Sequence, residues 1–116
     1  MFILGFSQGA TYALLAAYYN ANAFAGVITV GLAELEREWF TVGGGTLEDA
    51  SHLPVLLIHG TEDTRAPFAV SNRAREMFQS AGYDVTLQPF QGGHAVNREQ
   101  LFWVRDWLRT QVPEGR

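Results

Sequence analysis

Three residue types in this chain could together perform nucleophilic catalysis. Ser7 stands in Gly5-Phe6-Ser7-Gln8-Gly9, Asp63 in His59-Gly60-Thr61-Glu62-Asp63, and His94 in Gln91-Gly92-Gly93-His94. A hydroxyl is a poor nucleophile at neutral pH. It needs an imidazole to take its proton, and an anion to orient that imidazole and stabilise its charged form. Serine, acid and histidine in this order suit acyl transfer on a carbonyl compound.

The trio works only if the fold gathers it. Met1 to Phe6 reads as a short apolar strand, and Gln8 to about Asn20 as a helix with a small-residue face of Ala10, Ala13, Leu14, Ala16 and Ala17. A sharp turn between them would lift Ser7 above the sheet edge, and Gly5 and Gly9 would remove Cβ atoms where backbones crowd. Ala25 to Val30 is the second strand, apolar and β-branched as in a strand covered on both faces. Leu32 to Trp39 has the pattern for two turns of helix, which Gly43-Gly44-Gly45 then interrupts.

Val55 to His59 is the third strand, entered through Pro54. Pro67 opens a helix with Val70, Ala74, Met77, Phe78 and Ala81 at helical spacing, and Gly82 stops it. Tyr83 to Phe90 is the fourth strand, with Val85 and Leu87 alternating against polar neighbours. Asn97 caps the last helix with Gln100 three residues on; Leu101, Val104 and Leu108 line its inner face, and Pro113 lies beyond its end.

Strands alternating with helices predict an α/β fold: three layers, α/β/α, around a mostly parallel sheet of about four strands. Reactive groups gather at the carboxyl ends of such strands. Ser7, Asp63 and His94 follow the first, third and fourth strands in this way. His52 precedes its strand and belongs at the opposite end. His59 is at the correct end, but its place within the strand suits a packed, hydrogen-bonded role. Glu62 beside Asp63 is expected to be solvated, as are Arg65 and the Gly43 to Gly45 loop. Trp39 and Phe40 suit either an acyl pocket or the core; Trp103 and Trp107 suit packing.

On these motifs the chain resembles the α/β-hydrolase superfamily, and within it the phospholipase/carboxylesterase and dienelactone-hydrolase-like esterases. The matching residues are Gly5-Phe6-Ser7-Gln8-Gly9, Leu57-Ile58-His59-Gly60-Thr61-Glu62-Asp63 with Pro67-Phe68, and Gly92-Gly93-His94. The resemblance implies Ser7 as nucleophile, His94 as general base and acid, Asp63 as the orienting carboxylate, and the Gln8 N–H as one oxyanion donor. It also implies a departure. Family members have an eight-stranded sheet, of which this chain matches the strands from the fifth onward. The loop after the family's third strand, which supplies a second oxyanion donor, has no counterpart here.

The chain of 116 residues is therefore expected to form one partial α/β-hydrolase-like domain, 1–116. Its 47% hydrophobic content suits a globular protein, and its net charge of -4 argues against nucleic acid or an anionic membrane surface. Eight basic residues are all Arg, and there is no Cys, which excludes disulfides and thiolate chemistry. No apolar run reaches the roughly 18 residues of a membrane span. Phe2 to Leu4 lacks the features of a signal peptide, and a cytoplasmic location is expected.

The implied activity is a cofactor-free, metal-independent serine hydrolase acting on small carboxylic esters through an acyl-enzyme. The alternative is a non-catalytic half-domain that acts by association. In either case the Met1 to Phe6 edge invites a second copy or a partner chain. The choice among esterase, thioesterase and peptidase is not written in these motifs.

Overall fold

Four apolar runs become four parallel strands: β1 (Phe2–Phe6), β2 (Gly26–Val30), β3 (Val55–Gly60) and β4 (Val85–Phe90). The computed structural model describes residues 1–111. The strands lie side by side in chain order, β1-β2-β3-β4, so β1 and β4 are the sheet edges. Every residue of β2 and β3 is buried, as strands covered on both faces should be.

Helices α1 (Gln8–Tyr19), α2 (Phe68–Ser80) and α3 (Arg98–Gln111) complete the layers. Side-chain alternation divides the core in two. Val27, Val55 and Leu57 face a cluster with Ala10, Ala13, Leu14 and Ala17 of α1 and Ala74 and Phe78 of α2. Ile28, Val30, Leu56 and Ile58 face the opposite cluster, closed by Trp107 with Trp103, Val104 and Leu108 of α3. The sheet is thus sandwiched between α1 and α2 on one side and α3 on the other. It is wholly parallel.

Three local expectations need correction. Leu32 to Glu36 is not helical; only Arg37–Phe40 makes one 3-10 turn. The Thr11 hydroxyl donates to the Glu34 carbonyl, the Ala33 N–H to the Ser7 carbonyl, and Arg73 to the Leu35 carbonyl. These bonds hold the segment against α1 and α2 with Leu32 and Leu35 buried, and they replace the hydrogen bonds a helix would have made.

The fourth strand starts at Val85 rather than Tyr83. Tyr83 instead packs edge-on against Phe78 and donates its hydroxyl to the Leu47 carbonyl. In α3, Leu101 is 59% exposed. Gln100 takes its inward place, so the buried stripe runs Gln100, Trp103, Val104, Trp107, Leu108. The Asn97 cap is as expected: Gln100 N–H donates to the Asn97 side chain, and Asn97 N–H to that of Gln100. Pro113 lies outside the described residues.

Candidate active site

Ser7 sits where β1 ends and α1 begins, with φ 59° and ψ -122°. It is the one non-glycine residue with positive φ among the described residues. Such a backbone costs on the order of 1–3 kcal/mol and persists only when its surroundings enforce it. Here the Ser7 N–H donates to the Val30 carbonyl, and the Ser7 carbonyl accepts from Ala10 and Ala33. Gly5 is needed beneath the turn, because a Cβ there would lie 2.2 Å from the Gly9 carbonyl oxygen. Gly9 is a correction: a Cβ there would meet nothing within 4 Å, since that side of α1 is open.

Asp63 follows β3 by three residues, and its side chain is fully buried. One carboxylate oxygen accepts from the Arg65 N–H at 2.9 Å and the Ala66 N–H at 2.8 Å. Burial by itself would push this carboxyl up. The Ala66 N–H, the His94 ring and the Arg65 N–H together outweigh burial and hold it below its ordinary value of 3.8. Asp63 therefore stays anionic at neutral pH.

His94 hangs from the loop after β4. That loop is tied to the Asp63 loop, for Thr61 N–H donates to Phe90 and Glu62 N–H to Gly92. It is also tied to α3, because the buried Gln100 donates to the Ala95 carbonyl. Gly60 makes the approach possible; a Cβ there would lie 2.3 Å from the Gly92 carbonyl oxygen.

These supports bring the three side chains together. His94 Nδ1 is 2.6 Å from Asp63 Oδ2, and His94 Nε2 is 2.8 Å from Ser7 Oγ. The anionic carboxylate can only accept, so Nδ1 carries the proton. In the neutral ring Nε2 is then the acceptor for the Ser7 hydroxyl. The arrangement can move a proton from Ser7 to His94 while Asp63 compensates the charge. Gln8 is the first residue of α1, where a backbone N–H has no intrahelical partner and the helix dipole favours negative charge.

Other candidates fall elsewhere. His52 is exposed at the opposite end of the sheet and touches the Ala21 carbonyl. Glu62 and Arg65 are exposed. Phe40 belongs to the core, edge-on to Tyr18 and Phe78. Trp39 instead lines an open groove of about 330 Å³ with Gln8, Thr11, Tyr12, Leu15 and Glu34. Among the described residues, no cluster of three or more His, Asp or Glu could hold a metal ion. No helix among them is long and apolar enough to cross a membrane.

Two contacts were not anticipated from the sequence. The Phe6 ring lies 4.8 Å from the His94 ring, tilted by 33°. Gly31, with φ 62°, passes so close that a Cβ there would sit 3.1 Å from His94 Nδ1. The available signal was its position: a glycine directly after a buried strand, at the end of the sheet where Ser7 and Asp63 lie.

The phospholipase/carboxylesterase family profile matches residues 1–112. The chain belongs to that family. Acyl-protein thioesterase 1 of Gibberella zeae is 30% identical to it over 110 residues, covering 94% of this chain and 47% of the relative. A probable carboxylesterase SOBER1-like protein of Arabidopsis thaliana is 26% identical, covering 97% and 42%. Among solved structures, the Bacillus cereus carboxylesterase superposes with a TM-score of 0.79 at 19% identity, covering 97% of this chain and 50% of that one. Esterase PE8 superposes at 0.75 with 30% identity, covering 96% and 50%. The α/β-hydrolase fold is therefore that of the phospholipase/carboxylesterase relatives, and the chain spans about half the length of those it matches.

Proposed function

We propose that residues 1–116 form one domain-sized unit of a serine hydrolase that cleaves carboxylic esters. The observation that carries this reading is the continuous chain of contacts from Ser7 Oγ to His94 Nε2 and from His94 Nδ1 to Asp63 Oδ2. Ser7 Oγ attacks the ester carbonyl carbon and passes its proton to His94. The carbonyl oxygen becomes an oxyanion beside the Gln8 N–H. The bond to the alcohol breaks, His94 protonates the leaving oxygen, and Ser7 holds the acyl group. His94 then deprotonates a water that attacks the acyl-enzyme, releasing the acid and restoring Ser7.

The groove bounded by Gln8, Leu15 and Trp39 starts at the residue that offers the oxyanion donor. It suits one short apolar arm of an ester. Membership of the family, with a thioesterase and carboxylesterases among the relatives, supports the same class of substrate.

The test is hydrolysis of p-nitrophenyl acetate by the purified chain and by Ser7→Ala. The expected result is turnover that Ser7→Ala lowers at least about 10³-fold. Equal hydrolysis by the two proteins would overturn the reading.

A further inference from the structure

The buried His59 does more than fill the core. Its ring is wholly inaccessible, and both nitrogens are engaged. Nε2 is 2.5 Å from the Ala66 carbonyl oxygen, and Nδ1 is 2.5 Å from Ser71 Oγ on α2. A carbonyl oxygen can only accept, so Nε2 carries a proton. The Ser71 hydroxyl is the partner of Nδ1, so the ring is fixed at both nitrogens. Phe68 stands edge-on to the ring at 5.7 Å.

Ala66 is the residue that matters. Its carbonyl accepts from His59, and its N–H donates to Asp63 Oδ1. The peptide units on either side of Ala66 are thereby held from two directions. His59 Nε2 also approaches Asp63 Oδ2, at 3.6 Å, the oxygen that receives His94. We infer that His59 and Ser71 are positioning residues: they clamp the Asp63 to Ala66 turn so that the carboxylate is aimed at His94. The inference rests on the reading of Ser7, His94 and Asp63 as a working triad. Ser71 anchors the clamp to α2, in the same buried stripe as Ala74 and Phe78.

The clamp acts at a distance from any substrate. Its loss would loosen the aim of Asp63 without touching the ester, so kcat should fall and KM should not. A misplacement of about 1 Å from a change remote from the chemistry can cost roughly 100-fold in rate.

The test uses the full chain labelled with 15N-histidine. The Nδ1–H resonance of His94 is identified by its loss in Asp63→Asn, and the rate of Ser7 labelling by a fluorophosphonate is followed alongside it. His59→Ala is expected to shift or broaden that resonance, to slow labelling about 10- to 100-fold, and to leave KM for the p-nitrophenyl ester unchanged. His59→Gln keeps an N–H donor at the place of Nε2 and should restore labelling to within about threefold of the parent. A folded His59→Ala with parental resonance and labelling would overturn the inference.

If His59→Ala does not fold, the pair His59→Gln and His59→Asn decides, because the shorter Asn reaches only the place of Nδ1. Faster labelling of Gln than Asn supports the clamp; equal or reversed rates overturn it. Failure of the proposed activity is separable. A parent chain that neither labels nor turns over overturns the hydrolase reading, while the His94 resonance in the variants still decides the clamp.

Discussion

The two halves of the proposed triad stand on different ground. Asp63 and His94 hang from β3 and β4, whose loops are hydrogen-bonded to each other, to His59 and to Gln100. Ser7 hangs from β1, an edge strand with β2 on one side only. Around Gly60 the backbone is so crowded that a Cβ would lie 2.3 Å from a neighbouring carbonyl; around Gly9 there is open space. The acid–base half is overdetermined by this chain. The nucleophile half is held by the Val30, Ala10 and Ala33 bonds to Ser7 and by the close approach of Gly5 to Gly9, and is open on the outer side of Gly9.

The largest expected effect is on the well-supported half. Asp63→Asn keeps the shape but supplies an N–H where His94 needs an acceptor, so His94 is driven toward the wrong tautomer. Turnover should fall by about 10⁴-fold, as for the equivalent acid in other Ser-His-Asp systems. A loss below about tenfold, measured with the same ester, would mean that the Asp63 contact does not orient His94.

The glycines sharpen the contrast as a matched pair. Gly60→Ala puts a methyl against the Gly92 and Gly93 carbonyls, which are backbone and cannot step aside. A cost of about 2–3 kcal/mol or more is expected in urea unfolding. Gly9→Ala places a methyl in open space within α1 and should stabilise by roughly 0.5 kcal/mol, because alanine loses less freedom in a helix. Similar values for the two variants would erase the distinction between the braced and open halves.

Acid should act first on the braced half. The folded pKa of Asp63 lies below 3.8, so its contribution to stability is present above that value and is lost as pH falls through the folded one. Urea midpoints of the parent and Asp63→Asn should therefore differ by a constant amount near neutrality. The gap should narrow once the pH drops below 3.8. A gap independent of pH down to the acid transition would show that Asp63 is not held anionic by its partners.

How much of this was legible beforehand follows from what each feature depends on. Val55 to His59 and Ala25 to Val30 announced themselves because a strand buried on both faces must be continuously apolar. Ser7, Asp63 and His94 could be assigned to one end of the sheet because parallel topology fixes which end each loop occupies. Leu32 to Glu36 was misread because its leucine spacing also fits a helix. What decided it was a hydroxyl from Thr11 and the carbonyl of Ser7, both distant in sequence. Gly31 and Ser71 were missed for a related reason. Their roles are set by contacts with His94 and His59; Gly31 is marked only by its place directly after a buried strand, and Ser71 by nothing adjacent in the chain.

The smallest expected effect concerns the two edges of the sheet. On β4 the exposed positions are Thr86 and Pro89, and proline cannot donate to an added strand. On β1 they are Leu4, 50% exposed, and Phe6, 37% exposed, with Tyr12 of α1 at 62%. An edge that is apolar and free of proline or charge is a template for pairing with another chain. We propose that residues 1–116, purified alone, self-associate through β1 as their concentration rises. Leu4→Lys places a charge on that edge at a position already half in water, so stability should change by no more than about 0.5 kcal/mol. Sedimentation velocity should show a concentration-dependent shift for the parent and a smaller one for Leu4→Lys. The matching charge at Thr86, introduced as Thr86→Lys, should leave the parental shift in place if β1 is the edge that associates. Equal effects of the two lysines would place the association elsewhere than β1 and remove the asymmetry between the two edges.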